Sequence, residues 1–284
     1  MNKRVLTALV ALPILIFSIL LPYFFPYFEY ANSLFLVIAA LGLSAGLFEF
    51  FSITKRMELK ADAGIAYFGA TALFVAFLLN APQEMPDLLG LVIAGFMTIL
   101  LITQTFRFQK DFSKMLIGTA VTLLGVFYIA FLGGFIVATS VGFSNNPVNY
   151  LSSKLLGFFF LVVMSADIGA YYIGHYFGKR KLVPKISPGK TWEGTFGGIS
   201  LSCLSAAVAS ASFFPELPYK FSVPLAILMS IVGLLGDLVE SAIKRGANMK
   251  DASTTLPGHG GFLDRLDSLL LNAPILYYFA KFYF

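Results

Sequence analysis

What most constrains this chain is the recurrence, along its whole length, of apolar runs about as long as a bilayer is thick. A membrane span needs roughly 20 predominantly apolar residues, and such runs fall at residues 5–25, 34–51, 64–80, 88–105, 115–139, 155–174, 195–214, 223–239 and 262–284. In hydrocarbon every backbone N–H and C=O must be satisfied within the segment, so runs of this kind fold as helices. Charge supports this reading. Only 12% of the residues are charged and 58% are hydrophobic, whereas soluble domains carry roughly 25% charged residues. The expected fold is an all-α polytopic membrane protein with about nine transmembrane helices. The first run follows Lys3 and Arg4 as a signal peptide would, but its length is that of a retained span rather than of a signal h-region. The seventh run is the weakest, being rich in Ser and Gly.

The basic residues orient the set. With the N-terminus in the cytosol, 16 of the 20 Lys and Arg fall in cytosolic segments, and only Lys154, Lys220 and Lys281 lie clearly elsewhere, the asymmetry that the positive-inside rule requires. Residues 1–154 read as a transmembrane scaffold and 155–284 as a catalytic region, within one continuous membrane domain. Two cytosolic loops, 175–194 and 240–261, are longer, more polar and richer in Gly and Lys than the rest. Cys203 is the only cysteine, so an intrachain disulfide is excluded.

Ionisable groups within spans are costly and usually face a cavity or a partner. Asp167, Asp237, Glu240, Asp264 and Asp267 lie at the cytosolic ends of the sixth, eighth and ninth runs, and Glu49 lies near the inner end of the second. Asp237, Glu240, Ser241 and Lys244 stand at i, i+3, i+4 and i+7, one stripe of a helix. Asp264 and Asp267 stand at i and i+3 in the first turns of the last helix. Facing carboxylate pairs repel unless a cation lies between them, and oxygen-only ligands favour a hard one such as Mg²⁺. From spacing alone, ion pairing with Lys244, Arg245 and Arg265 is an equal alternative.

The segments between these helices supply more specific signals. The sequence around Ser241, Lys244 and Arg245, followed by Lys250-Asp251 and by Pro257-Gly-His259-Gly-Gly-Phe-Leu-Asp264-Arg265-Leu-Asp267, resembles the signature of the phosphatidate cytidylyltransferase (CDP-diacylglycerol synthase) family. The run Ser187-Pro-Gly-Lys190-Thr191-Trp192-Glu193-Gly194 and the sequence Asp167-Ile-Gly-Ala-Tyr171 resemble two further motifs of that family, in the same order. The resemblance implies transfer of CMP from CTP to phosphatidate by Mg²⁺-dependent in-line attack of the lipid phosphate on the α-phosphorus, releasing pyrophosphate. It also implies Asp237, Asp264 and Asp267 as metal ligands, a second cation such as K⁺ beside the first, and a homodimer in the cell (inner or plasma) membrane. Catalysis is assigned to Asp237, Asp264 and Lys244, with Asp167 and Glu240 as additional members of the site. Substrate contacts are assigned to Ser187, Lys190, Thr191, Arg245, Lys250, Asp251, His259 and Arg265. Thr191 alternatively caps the seventh span, and Trp192, the sole tryptophan, suits an interfacial anchor. No nucleic-acid partner is expected. A CTP-dependent polyprenol or lipid kinase is the nearest alternative, and an ion-coupled transporter using the five acids is the more distant one.

Overall fold

The computed structural model describes residues 3–25, 31–83, 88–108, 112–144, 146–250, 252–253 and 260–284. Among them the chain forms long helices α1 (Lys3–Phe24), α2 (Ser33–Arg56), α3 (Ala63–Gln83), α4 (Leu88–Arg107), α5 (Met115–Gly142), α6 (Leu151–Phe177), α7 (Trp192–Ala211), α8 (Tyr219–Gly246) and α9 (Leu263–Tyr283). Each expected apolar run lies on one of them. Seven, α2 to α8, are long and apolar enough to cross a membrane. The apolar part of α1 is shorter (Leu9–Phe24), and α9 carries Asp264, Arg265, Asp267 and Lys281. The outer surface is greasy: Leu41, Phe48, Leu91 and Leu116 are 64, 64, 70 and 74% exposed. Such a surface is stable where lipid, not water, is the solvent.

Three features depart from the sequence reading. Helix α8 runs past residue 239 to Gly246, so the second polar loop begins after residue 246 rather than at 240, and the stripe from Asp237 to Lys244 is helical throughout. The Glu240–Lys244 pair at i,i+4 and the Ser241 hydroxyl on the Asp237 carboxylate support those extra turns from within the helix. The loop before α7 contains the antiparallel strands β1 (Lys181–Val183) and β2 (Ser187–Thr191), paired Lys181 to Thr191 and Val183 to Ser187. Helix α5 is interrupted by a π-helical segment, Val126–Phe131.

The weak seventh run proves to be held by the residues that made it weak. Ser202 and Ser210 of α7 pair with Ser230 (2.5 Å) and Ser222 (2.7 Å) of α8, and Ser205 donates to Ser165 of α6 at 2.7 Å. In an apolar surround such hydroxyl pairs and close backbone contact replace the hydrophobic effect as the adhesive between helices. Gly194 and Gly198 of α7 supply the contact. A Cβ there would lie 2.8 and 2.7 Å from the carbonyl oxygens of Ala170 and Ala166 on α6. Helices α8 and α9 approach as closely. Gly236 has no room for a Cβ against the Asp267 carbonyl, and Asn272 donates to Met229 (2.9 Å) and Ser268 (2.8 Å). At the far end of the bundle Phe158, Phe159, Phe214 and Leu217 are fully buried, and Lys154 pairs with Glu216 at 2.6 Å.

One contact ties the N-terminal half to the start of α9. Glu49 on α2 is buried at 1% exposure. Its carboxylate accepts from the Ser253 hydroxyl at 2.6 Å and from the Leu263 backbone N–H at 2.8 Å. The first N–H groups of a helix have no intrahelical partner and carry the positive end of its dipole. The residue preceding α9, Phe262, has no side chain that can cap it. A carboxylate from another helix, more than two hundred residues away in sequence, caps it instead. Glu49→Ala leaves both buried donors unmade and is expected to cost about 2–4 kcal/mol, measured as a lower midpoint of thermal unfolding in detergent. Glu49→Gln, which keeps an acceptor, should lose less. An unaltered midpoint in the alanine variant would mean the cap does not hold α9.

Candidate active site

The site is assembled where the ends of α6, α8 and α9 and the β1–β2 hairpin meet. The hairpin is fixed at both ends. The Glu193 carboxylate in the first turn of α7 accepts the backbone N–H of Lys179 (3.1 Å) and Arg180 (3.2 Å). The Thr191 hydroxyl accepts the Gly194 N–H at 3.1 Å, the ordinary N-cap of a helix. Of the two roles open to Thr191 in the sequence, the capping one is therefore made, and its side chain is buried. Arg245, at the end of α8, donates from Nε to the Ile186 carbonyl (3.1 Å) and from Nη1 to the Met249 carbonyl (3.2 Å), stitching the hairpin to α8. Ser187 opens β2 beside that contact.

So positioned, the hairpin places Lys190 in an ion pair with Asp237. Burial works against the charge on Lys190. Asp237, and then Asp167 and Asp267, outweigh that effect and hold its pKa above the ordinary lysine value. Asp167, on the surface of α6, lies within electrostatic reach of Lys190, Asp237 and Arg265. The ends of the sixth, eighth and ninth apolar runs, which the sequence reading puts on one membrane face, thus lie near one another.

On α8 and α9, carboxylate oxygens of Asp237, Glu240 and Asp267 all lie within 4.8 Å of one another. This group has Glu240 in the place the sequence reading gave to Asp264. Asp264 instead gathers the loop before α9: its carboxylate accepts from Lys244 Nζ (2.5 Å), from the Gly261 N–H (2.6 Å) and from the Ala252 N–H (3.2 Å). Lys244 also pairs with Glu240 at 2.5 Å, so one ammonium bridges the two acids. Glu240 is 1% exposed, and its second oxygen, Oε1, has no hydrogen-bond partner among the described residues. A buried carboxylate oxygen left unpaired is costly, and three convergent carboxylates with such an oxygen among them are the hard, all-oxygen donor set that suits a divalent cation. The sequence reading gives Glu240 as an acid of the helical stripe and an additional member of the site, but not as a metal ligand. Its proximity to Asp267 depends on how closely α8 and α9 pack at Gly236.

The remaining expected residues divide by position. Arg265 and Lys250 lie on the surface, Arg265 in the first turn of α9 and Lys250 just after α8. Asp251 and His259 lie outside the described residues. Trp192 is half exposed at the start of α7, as an interfacial residue would be.

Comparison with known proteins agrees with the geometry. The sequence model of the cytidylyltransferase family matches residues 2–283. The chain is 35% identical to a phosphatidate cytidylyltransferase of Bacillus subtilis over 229 residues, 74% of this chain and 84% of that protein. It is 35% identical to one of Brucella suis over 246 residues, 85% and 83% of the two chains. It is 30% identical to one of Chlamydia pneumoniae over 250 residues, 83% and 79%. With the family pattern running from one end of the chain to the other, and with acids from three helices meeting Lys244 of α8 and Lys190 of the hairpin, this protein belongs to the cytidylyltransferase family of nucleotidyltransferases.

Proposed function

We propose that this enzyme transfers CMP from CTP to phosphatidate, forming CDP-diacylglycerol and pyrophosphate. The observation that carries the reading is the group Asp237, Glu240 and Asp267, with Lys190 and Lys244 paired to its members, in a chain similar over most of its length to phosphatidate cytidylyltransferases. The reaction joins two polyanions. An oxygen of the lipid phosphate forms a bond to the α-phosphorus of CTP, and the bond from that phosphorus to the pyrophosphate oxygen breaks. The attacking phosphate is already ionised at neutral pH, so the protein need supply neither nucleophile nor base. Its task is to bring like charges together in line.

Asp237, Glu240 and Asp267 would hold Mg²⁺, with Asp264 completing the acidic wall across Lys244. When bound there, the ion supplies charge neutralisation for the reacting phosphates. Lys190, half-buried, and Lys244, buried, are paired with the acids and can exchange those partners for phosphate oxygens, while Arg245, Arg265, Lys250 and Ser187 are assigned to substrate contact. Asp251 and His259 belong to the same loop signature and are assigned to substrate contact. We assign nine membrane spans, a cytosolic N-terminus, a site at the cytosolic face of the cell membrane and a homodimer. The Lys154–Glu216 pair supports that orientation, since it neutralises a basic residue that the topology puts on the far side.

Purified protein given phosphatidate, Mg²⁺ and CTP labelled in the cytidine is expected to yield labelled lipid and one pyrophosphate per turnover. Transfer of the γ-phosphate alone would identify a lipid kinase, and ion flux without CTP consumption a transporter. EDTA should abolish turnover and added Mg²⁺ restore it. Asp237→Asn and Asp264→Asn are each expected to lower turnover by about 100-fold or more in protein that still inserts and folds. Near-normal rates in both would remove the acids from the site. Lys244→Ala should lower kcat/KM by about 100-fold, read from the same assay, and an unchanged rate would reduce Lys244 to a structural bridge.

A further inference from the structure

The π-helical segment of α5, Val126–Phe131, lies in the half of the chain read as scaffold, and it contains a polar group that a scaffold role does not explain. Tyr128 is only 6% exposed, and its hydroxyl has no hydrogen-bond partner among the described residues. A phenol buried in an apolar core normally finds a partner for its O–H. The Tyr128 hydroxyl lies within the electrostatic field of Asp267, Glu240 and Asp237, the three acids of the site. It is bonded to none of them.

Its surroundings fix it there. Tyr128 belongs to one core with Leu43, Leu47 and Phe50 of α2 and Leu263 and Leu270 of α9, with Leu266 packed against it, so this core includes apolar residues of α9 on both sides of Asp267. Gly125 and Gly133, on either side of the π segment, let α5 press against Phe50 and Leu43 of α2. Each π turn adds one residue to the helix and rotates the remaining turns by about 100° relative to an uninterrupted α-helix. Such turns cost helix stability and recur at functional sites. Two observations therefore meet at one residue: an irregular helix that re-aims side chains, and a buried donor without a partner among the described residues, within electrostatic reach of the acids. Glu240 Oε1, also buried and unpartnered among the described residues, belongs to the same group.

We propose that Tyr128 is a further substrate-contacting residue, its phenolic O–H donating a hydrogen bond to a phosphate oxygen of bound substrate. A neutral donor suits that place. It can stabilise a phosphate oxygen without adding a charge for the neighbouring carboxylates to capture, as they capture Lys190 and Lys244. The role rests on the CMP-transfer reading. A wild-type protein without that activity would defeat the reading itself, whereas a comparison of variants requires an active wild type.

The test is Tyr128→Phe, which removes one oxygen and keeps the ring in its core. Because the hydroxyl bonds to none of the described residues, the thermal midpoint in detergent should equal or exceed that of wild type. A hydrogen bond to a charged oxygen gives a fall in kcat/KM of about 10- to 100-fold when lost, measured well below both midpoints. The distribution of the loss names the oxygen: a raised KM for CTP marks the triphosphate, a raised KM for phosphatidate marks the lipid phosphate, and a lowered kcat marks an oxygen whose charge grows in the transition state. A kcat/KM within about threefold of wild type would overturn the proposal. So would a midpoint lowered by several degrees, which would mean that the hydroxyl serves the fold.

Discussion

Carboxylates crowded at the end of a helical bundle repel one another, and much of this structure is arranged around that repulsion. Lys244 stands between Glu240 and Asp264, and Lys190 stands against Asp237. Neither lysine is where it is by chance of a flexible side chain. Lys244 is fixed one turn along α8 from Glu240, and Lys190 is carried in by a hairpin that is itself bonded to α7 through Glu193 and to α8 through Arg245. Buried ion pairs contribute little net stability, because desolvation offsets most of the Coulomb attraction. Their value here is that they hold a dense patch of negative charge within the folded protein.

The same logic explains why the bundle is so tightly drawn together at this end. Three carboxylates can share one small volume only if the backbones that carry them come close. Gly236 meets the Asp267 carbonyl, and Gly194 and Gly198 meet the carbonyls of Ala170 and Ala166, which flank Asp167 on α6. In lipid there is no hydrophobic drive to bring helices together, so small residues, hydroxyl pairs and the Asn272 bonds supply it. The far end of the bundle is built differently, from aromatic packing around Phe158 and Phe214. That end can be rigid without being chemically demanding.

Much of this is legible in the sequence. The apolar runs locate every long helix, because span length and composition are one-dimensional properties. The acids stand out because ionisable residues in apolar runs are rare, and their positions at run ends imply convergence. The hidden part depends on contacts between distant segments. Glu49 is conspicuous in the sequence but has no assignable role there, since nothing local shows that it caps α9 from α2. Glu240 is legible as an additional site residue, but its closeness to Asp237 and Asp267 needs α9 alongside. The β1–β2 hairpin has only eight residues in its two strands, too few for a pattern against a Gly- and Lys-rich loop. The π segment in α5 has the same apolar composition as the α-helix on either side, so no sequence signal announces the shift.

The π segment also bears on how the two halves of the chain divide the work. The C-terminal half carries the motifs, yet the start of α9 is capped by Glu49 of α2, and the core packed on α9 near Asp267 is built from α2 and the π segment of α5. If the first half were only a membrane anchor, neither a buried carboxylate nor an irregular helix would be needed there, since both cost stability. The cost falls on the residues that set the position of Asp264 and Asp267. The N-terminal helices are therefore better understood as the wall against which the last helix is registered. Variation in their sequence would be tolerated where they face lipid and restricted at Glu49 and in the core that α2 and the π segment share with α9.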